Sequence, residues 1–216
     1  MLNLLTVDTT DLVVTLSVVA ILLAFLLMLI FGKRKSTLTT KKITVIALGV
    51  SLTTTLSFLK FSLPFGGSIT LFSLVPVILV SYYYGVYLGL LTGLITGLLQ
   101  FITSPYLLTP LTFFLDYAFA FSCICFAGAY KKIIKNKSAS LIVGASTFYF
   151  SRYVMHFLSG MIYFSFGYVY EGFPSSNAII YSLCYNAVYL VPDFIISLIF
   201  LIVFSRTKVF KNDMLI

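Results

Sequence analysis

Apolar residues occur along this chain in seven long runs, which short polar or turn-forming segments separate. A helix needs about 20 predominantly apolar residues to cross a bilayer, and most of the runs approach that length. The pattern therefore predicts seven transmembrane helices, of which the second and third are the least regular because three threonines and Pro76 interrupt them. The predicted spans are residues 12–31, 43–59, 69–83, 86–102, 110–130, 140–164 and 178–204.

Composition and charge support a polytopic membrane protein and orient it. The chain of 216 residues is 60% hydrophobic and 9% charged. Most of its 14 Lys and Arg residues fall in three groups, at 33–42, 131–137 and 206–211, after the first, fifth and seventh spans. Because basic residues accumulate in cytoplasmic loops, we expect the N-terminus outside and the C-terminus in the cytoplasm. The net charge of +8 then reflects topology and contact with anionic membrane lipid, with no nucleic-acid partner.

The spans divide into two sub-regions. Residues 1–40 hold the first span and a basic linker, and residues 41–216 hold the other six spans. The first span lacks the basic n-region and the cleavage site of a signal peptide, so we interpret it as a retained transmembrane helix. Cys123, Cys125 and Cys184 all lie in apolar runs, which favours buried small side chains over a disulfide framework or a metal site.

Asp116 is the main candidate for a site, because the stretch TPLTFFLDYAFAFSCICFAGAY contains no other charge. A carboxylate in hydrocarbon costs about 3 kcal/mol, so it usually faces a partner or a ligand. With a rise of about 1.5 Å per residue, Asp116, His156 and Asn186 fall in one layer, about 10 Å below the outer surface. The neighbours of these three residues are Tyr117, Gly160, Phe164 and Tyr181. This combination suits a small, flat, cationic heterocycle, although His156 and Asn186 taken singly are also typical of helix–helix hydrogen bonds.

Three further features predict packing or movement near this layer. Arg152 and Asp193 have opposite charge and similar, greater depth, so we expect them to pair with each other. The segment LPFGGSITL is either a lid over the site or a simple turn. A stripe of glycines at four-residue spacing predicts close approach of another helix, either internal or from a partner subunit. Its members are Gly85, Gly89, Gly93 and Gly97.

The chain lacks the residue patterns of the common enzyme classes. It has no phosphate-binding G-x-x-x-x-G-K-[ST] loop, so we expect that the chain does not power uptake by its own ATP hydrolysis and that the energy comes from elsewhere. Asp116 and Asp193 differ by about 13 Å in depth, too far for the shared carboxylate pair of an aspartyl protease. The single His has no second ligand at metal spacing. We therefore expect no catalytic residues, no cofactor and no metal.

The six-span region resembles the thiamine-binding S components of energy-coupling factor (ECF) transporters, the ThiT family. The strings that carry the resemblance are GGSITL, GLLTGLITGLLQFI, FFLDYAFAF, SRYVMHFLSGMIYF and IYSLCYNAVYLVPDFIIS, in the family's order. The resemblance implies an all-α polytopic membrane protein, here a six-helix S-component bundle preceded by one extra N-terminal helix. It also implies a bacterial cell-membrane subunit that works with a transmembrane coupling protein and two ABC ATPases.

The resemblance also implies roles for individual residues. Asp116 would face thiamine and Tyr117 would follow it, while His156 would flank the thiazolium and Gly160 would give a backbone contact. The remaining positions are Tyr106 in a loop, Phe164 as a stacking ring, and Tyr181 with Asn186 reading the aminopyrimidine. The small-xxx-small pair of Ala47 and Ser51 resembles the AxxxA motif that docks such subunits on the coupling protein.

One departure concerns the stacking rings. Some members of the family stack the ligand between two tryptophans, but this chain contains no Trp. Phe164 stands at one of these positions and Gly67 at the other, so stacking is either weaker or supplied by Phe65. The leading prediction is capture of thiamine from outside the cell for ATP-driven uptake. The alternatives are an S component for a thiamine-precursor pyrimidine, or a membrane sensor or scaffold that does not transport.

Overall fold

The computed structural model describes residues 38–64, 67–174 and 176–212, and most of them are helical. The mostly helical fold expected from the sequence is confirmed, with one short β-hairpin in addition. The predicted first span, residues 12–31, lies outside the described residues. The elements in chain order are α1 (Thr40–Ser57), β1 (Lys60–Ser62), β2 (Ser68–Thr70), α2 (Val75–Tyr84), α3 (Val86–Thr103), α4 (Pro110–Lys132), α5 (Lys137–Ser165), α6 (Ala178–Ser205) and α7 (Lys208–Lys211).

Three of the described helices are long and apolar enough to cross a membrane, namely α3, α4 and α6. Polar side chains cap several of the long helices. Asn136 accepts a hydrogen bond from the backbone N–H of Ala139 at the start of α5, and Asn177 accepts one from Ile179 at the start of α6. Such caps satisfy N–H groups that have no partner within the helix, which matters where water is scarce.

The third predicted span, residues 69–83, does not form a continuous helix. Its first residues belong to β2, which pairs antiparallel with β1 as a short hairpin. Phe72 then has a positive φ of 47°, and α2 begins only at Val75 with Pro76 in its first turn. Proline is favoured in a first turn, where its missing N–H would have no partner anyway. The apolar run therefore combines a strand, a turn and a short helix.

Helix α4 is irregular where it carries the candidate site. Residues Phe114–Phe119, including Asp116 and Tyr117, form a π-helical turn, and Cys123–Gly128 form a 3₁₀ segment. A π-helical turn within an α-helix is rare and is frequently found at functional sites. The irregularity therefore coincides with the lone charge of this stretch.

The glycine stripe of α3 packs against α4 of the same chain. A Cβ atom on Gly93 would overlap the carbonyl oxygen of Phe121 and lie 2.7 Å from the Cα of Ser122. A Cβ on Gly97 would overlap the carbonyl oxygen of Tyr117. For Gly93 and Gly97, the helix that approaches closely is therefore internal to this chain and is not supplied by a partner subunit. Their close approach holds α3 against the segment that carries Asp116.

We expect Gly93→Leu to destabilise the protein strongly, because the new side chain meets backbone atoms that cannot move away. Overpacking of this kind costs about 1–3 kcal/mol or more. Thermal unfolding and size-exclusion chromatography in detergent measure the effect. Ile95→Ala is the control, since Ile95 lies on the same helix and is 44% exposed. Equal unfolding temperatures for the two variants would contradict the packing role of Gly93.

Candidate functional site

A cavity of about 450 Å³ lies between α4, α5, α6 and the β1–β2 hairpin. Its volume is within the range of pockets that hold small molecules. Seven of the eight residues predicted from the sequence line it, namely Tyr106, Asp116, Tyr117, His156, Gly160, Tyr181 and Asn186. Phe164 is not among the lining residues, and its ring lies 5.4 Å from that of Tyr181. The residues that the sequence placed in one layer therefore share one cavity.

Asp116 is held by two side chains of α5. His156 Nδ1 lies 2.9 Å from one carboxylate oxygen, and Ser159 Oγ donates to the other at 2.6 Å. The Asp116 side chain is 16% exposed. Each carboxylate oxygen has a second lone pair, so Asp116 still has acceptor capacity for a ligand. Ser159 was not predicted, although its spacing of three residues from His156 places both on one helix face.

The hydrogen bonds of His156 define its tautomer. Arg152 Nε donates to His156 Nε2 at 3.3 Å, and an arginine nitrogen cannot accept. His156 Nε2 is therefore the acceptor, and the proton on Nδ1 is donated to Asp116. In this arrangement the imidazole is neutral, so it orients the carboxylate of Asp116 without cancelling its charge.

The predicted pair of Arg152 and Asp193 is present at a long distance. Arg152 Nη1 lies 4.0 Å from Asp193 Oδ2, and the Arg152 guanidinium also stands 4.7 Å from the centre of the Phe121 ring. Because Arg152 also contacts His156, the pair is not separate from the candidate site. The Arg152–Asp193 pair and the residues around Asp116 therefore belong to one polar network.

Asn186 is 2% exposed and makes several hydrogen bonds within the protein. Its amide nitrogen donates to the carbonyl oxygens of His156 at 3.1 Å and Ser182 at 2.8 Å. Its amide oxygen accepts from the Tyr189 hydroxyl at 2.6 Å. The amide hydrogens are thus used by the protein, and Asn186 fixes the position of Tyr189.

Tyr189 is a lining residue that the sequence reasoning missed. Its ring lies 6.0 Å from the His156 ring in an edge-to-face arrangement. A Cβ atom on Gly67 would lie 2.8 Å from Tyr189 Cδ1, so the hairpin backbone also rests against this ring. Phe65, the other aromatic residue considered for this position, lies outside the described residues. Tyr189 is therefore the ring that occupies the space beside Gly67.

Eight tyrosines line the cavity, and five of them were not predicted, namely Tyr163, Tyr168, Tyr170, Tyr185 and Tyr189. Their rings form parallel pairs, with Tyr106 stacked on Tyr163 at 5.3 Å and Tyr170 on Tyr185 at 5.8 Å. Partial burial and the neighbouring Tyr170 raise the pKa of the loop residue Tyr106 to about 12. A signal was available in α6, where tyrosines at 181, 185 and 189 recur every four residues on one face.

The chemistry of the cavity is that of binding. Its lining combines the Asp116 carboxylate, which has free acceptor capacity, with a neutral imidazole, many aromatic faces, the Arg152–Asp193 pair and Lys60. Within residues 38–64, 67–174 and 176–212, no cluster of three His, Cys, Asp or Glu side chains could hold a metal ion. The arrangement suits a flat organic cation.

Comparison with known proteins gives the family. The sequence pattern of the family "Thiamine transporter protein (Thia_YuaJ)" matches residues 43–212. The chain is 35% identical over 164 residues to the thiamine transporter ThiT of Bacillus subtilis (strain 168), an alignment that covers 70% of this chain and 83% of that protein.

Solved structures share the fold. ThiT from Listeria monocytogenes superposes with a TM-score of 0.64 at 23% identity, covering 77% of this chain and 94% of that one. The S component of a bacterial ECF transporter gives a TM-score of 0.51 at 22% identity, covering 81% of this chain and 97% of that one. The chain is thus a multi-pass membrane protein with the fold of these two solved proteins, and it belongs to the thiamine transporter protein family.

Proposed function

We propose that this protein is the substrate-binding subunit of an ECF-type importer and that it captures thiamine from outside the cell. The observation that carries the proposal is the carboxylate of Asp116, which His156 and Ser159 hold at a cavity wall. Each of its oxygens can still accept a further hydrogen bond from a ligand. Thiamine joins a permanently cationic thiazolium to an aminopyrimidine, so it offers both a positive charge and an N–H donor.

The tyrosine-lined walls complement the flat rings of this ligand. A cation over an aromatic face is stabilised by about 0.5–2 kcal/mol, with the larger value where water is excluded. We assign the ionic and hydrogen-bonding role to Asp116, with His156 beside the thiazolium and Tyr181 beside the aminopyrimidine. Asn186 contributes its amide oxygen and holds Tyr189. Tyr106, Tyr117 and Gly160 complete the enclosure, and Phe164 supports Tyr181 from behind.

The importer needs partners that supply energy. We infer a transmembrane coupling protein and two ABC ATPases, with membrane lipid around the remaining surface. Ala47 and Ser51 are exposed on α1 together with Leu48, so a small-residue surface is free for helix contact with the coupling protein. The expected topology, with the C-terminus in the cytoplasm, puts the cavity towards the outside. Capture, closure and reorientation involve no covalent chemistry.

Titration calorimetry of the purified protein tests the proposal with two compounds. Thiamine carries the cationic thiazolium, whereas 4-amino-5-hydroxymethyl-2-methylpyrimidine is only its pyrimidine half. We expect thiamine to bind at least roughly tenfold more tightly, because the pyrimidine lacks the charge that the cavity recognises.

Other results would select the alternatives. Equal affinity for both compounds would favour an S component for the precursor pyrimidine. Binding of neither compound by protein that is folded by thermal unfolding would favour a sensor or scaffold.

A further inference from the structure

Asp193 is a buried charge that the proposed ligand does not explain. It lies inside α6, is 4% exposed and lines the same cavity as Asp116. A carboxylate at such a position is costly unless it is paired, so its partners indicate its role.

One oxygen of Asp193 binds the hairpin. Asp193 Oδ1 accepts from the Thr70 backbone N–H at 3.2 Å and from the Thr70 hydroxyl at 2.5 Å. The Thr70 hydroxyl oxygen also lies 2.7 Å from Ser73 Oγ, which can donate to it. The end of β2 is therefore tied to α6 through both its backbone and its side chains.

The other oxygen of Asp193 faces α5. The Tyr149 hydroxyl lies 3.3 Å from Oδ2, and Arg152 Nη1 lies 4.0 Å from it. Arg152 donates in turn to His156, whose other ring nitrogen binds Asp116. Oδ1 of Asp193 thus accepts two hydrogen bonds from the hairpin, while Oδ2 faces the Tyr149 hydroxyl and the Arg152 guanidinium. Asp193 therefore connects the hairpin to the polar side chains of α5, namely Tyr149, Arg152 and, through Arg152, His156.

We propose that Asp193 is a positioning residue for ligand retention: it fixes the hairpin wall at residues 67–73 and, through Arg152, the orientation of His156 beside Asp116. The inference rests on the proposed function and gives it a second acidic residue with a different role. Thr70 supplies the hairpin's side of this contact, because its backbone N–H and its hydroxyl both donate to Asp193. The hairpin in turn holds Gly67 against Tyr189, so losing the tie loosens that side of the cavity.

The expected effect is mainly on dissociation. Asp193→Ala removes the acceptor of two hydrogen bonds from Thr70 but leaves the carboxylate of Asp116 in place. We expect the thiamine dissociation rate to rise roughly tenfold in Asp193→Ala, with a smaller change in the association rate. Thr70→Val keeps the strand and removes the hydroxyl contact, so it should raise the rate several-fold in the same direction. Stopped-flow displacement with labelled thiamine measures both rates.

Hydrogen exchange followed by mass spectrometry supplies a readout that needs no ligand. Asp193→Ala and Thr70→Val should speed amide exchange in the peptide that covers residues 67–74. The exchange rates of α3, α4 and α5 should stay unchanged. Ser197→Ala is the matched control, since Ser197 is also buried in α6 and its hydroxyl accepts from Tyr149 at 2.7 Å. Ser197→Ala should change neither the exchange of this peptide nor the dissociation rate by more than about twofold.

Each outcome decides the proposal. Unchanged exchange in residues 67–74, faster exchange along the whole chain, or an equal effect of Ser197→Ala would overturn it. If Asp193→Ala does not fold, Thr70→Val gives the answer from the other side of the contact. If the unaltered protein does not bind thiamine, the proposed function fails, while the exchange measurement still decides whether Asp193 fixes the hairpin.

Discussion

Asp116→Asn is expected to weaken thiamine binding by roughly 100-fold, corresponding to about 3 kcal/mol. Asparagine has nearly the same shape as aspartate and can keep the contacts with both neighbours, with its oxygen towards His156 and its amide nitrogen towards Ser159. The fold should therefore survive. The negative charge is lost, and with it the charge-assisted hydrogen bond and the attraction for a cation.

Calorimetry at neutral pH and moderate salt measures this loss. Glu171→Gln is the matched control, because it removes one negative charge from an exposed loop residue outside the cavity lining. We expect the control to bind within about twofold of the unaltered protein, since exposed charges interact weakly with distant groups. Equal losses in both variants would point to a long-range electrostatic effect. Unchanged binding in Asp116→Asn would show that this carboxylate does not recognise the ligand.

The layer of polar residues was predictable because helices convert sequence into depth at a constant rise. Counting from the ends of three spans placed Asp116, His156 and Asn186 together, and all three line the cavity. The same regularity explains why Phe164 does not. At about 100° per residue, eight residues after His156 amount to a rotation of about 80° beyond two full turns, whereas Gly160 is rotated by only about 40°.

The hairpin contacts could not be predicted from the pattern of the chain. Thr70 and Asp193 are 123 residues apart, and the apolar run around Ile69 indicated a transmembrane helix where the structure has a strand and a turn. The pairing of Arg152 with Asp193 was predicted from charge and depth alone, but its connection to His156 was not. Single-span periodicity does not report which side chains meet across the bundle. The π-helical turn at Asp116 also has no signature in the hydrophobic pattern.

We propose that Tyr189 takes the place of a tryptophan ring in enclosing a cationic ligand. Its hydroxyl is fixed by Asn186, its ring is nearly perpendicular to that of His156, and the backbone at Gly67 lies close to its ring atoms. Three neighbours from different parts of the fold therefore hold the ring in one orientation. A ring held in this way loses little conformational freedom when a ligand binds, so most of its interaction energy contributes to affinity.

Tyr189→Ala is accordingly expected to lower thiamine affinity by roughly 30-fold, or about 2 kcal/mol, the upper range for a cation against a desolvated aromatic face. Tyr189→Phe keeps the ring and loses only the hydrogen bond to Asn186, so its affinity should fall by a few-fold. Calorimetry gives the affinities, and thermal unfolding shows how far each variant is destabilised.

Tyr153→Ala separates recognition from packing. Tyr153 also joins α5 to α6, through a hydrogen bond from its hydroxyl to the Leu183 carbonyl oxygen at 2.7 Å, but it does not line the cavity. It should lower the unfolding temperature while leaving affinity nearly unchanged. If Tyr153→Ala weakens binding as much as Tyr189→Ala, the loss reflects loosened packing between the two helices. If Tyr189→Phe is as weak as Tyr189→Ala, the hydroxyl is the important group and the ring is not the wall that compensates for the missing tryptophan.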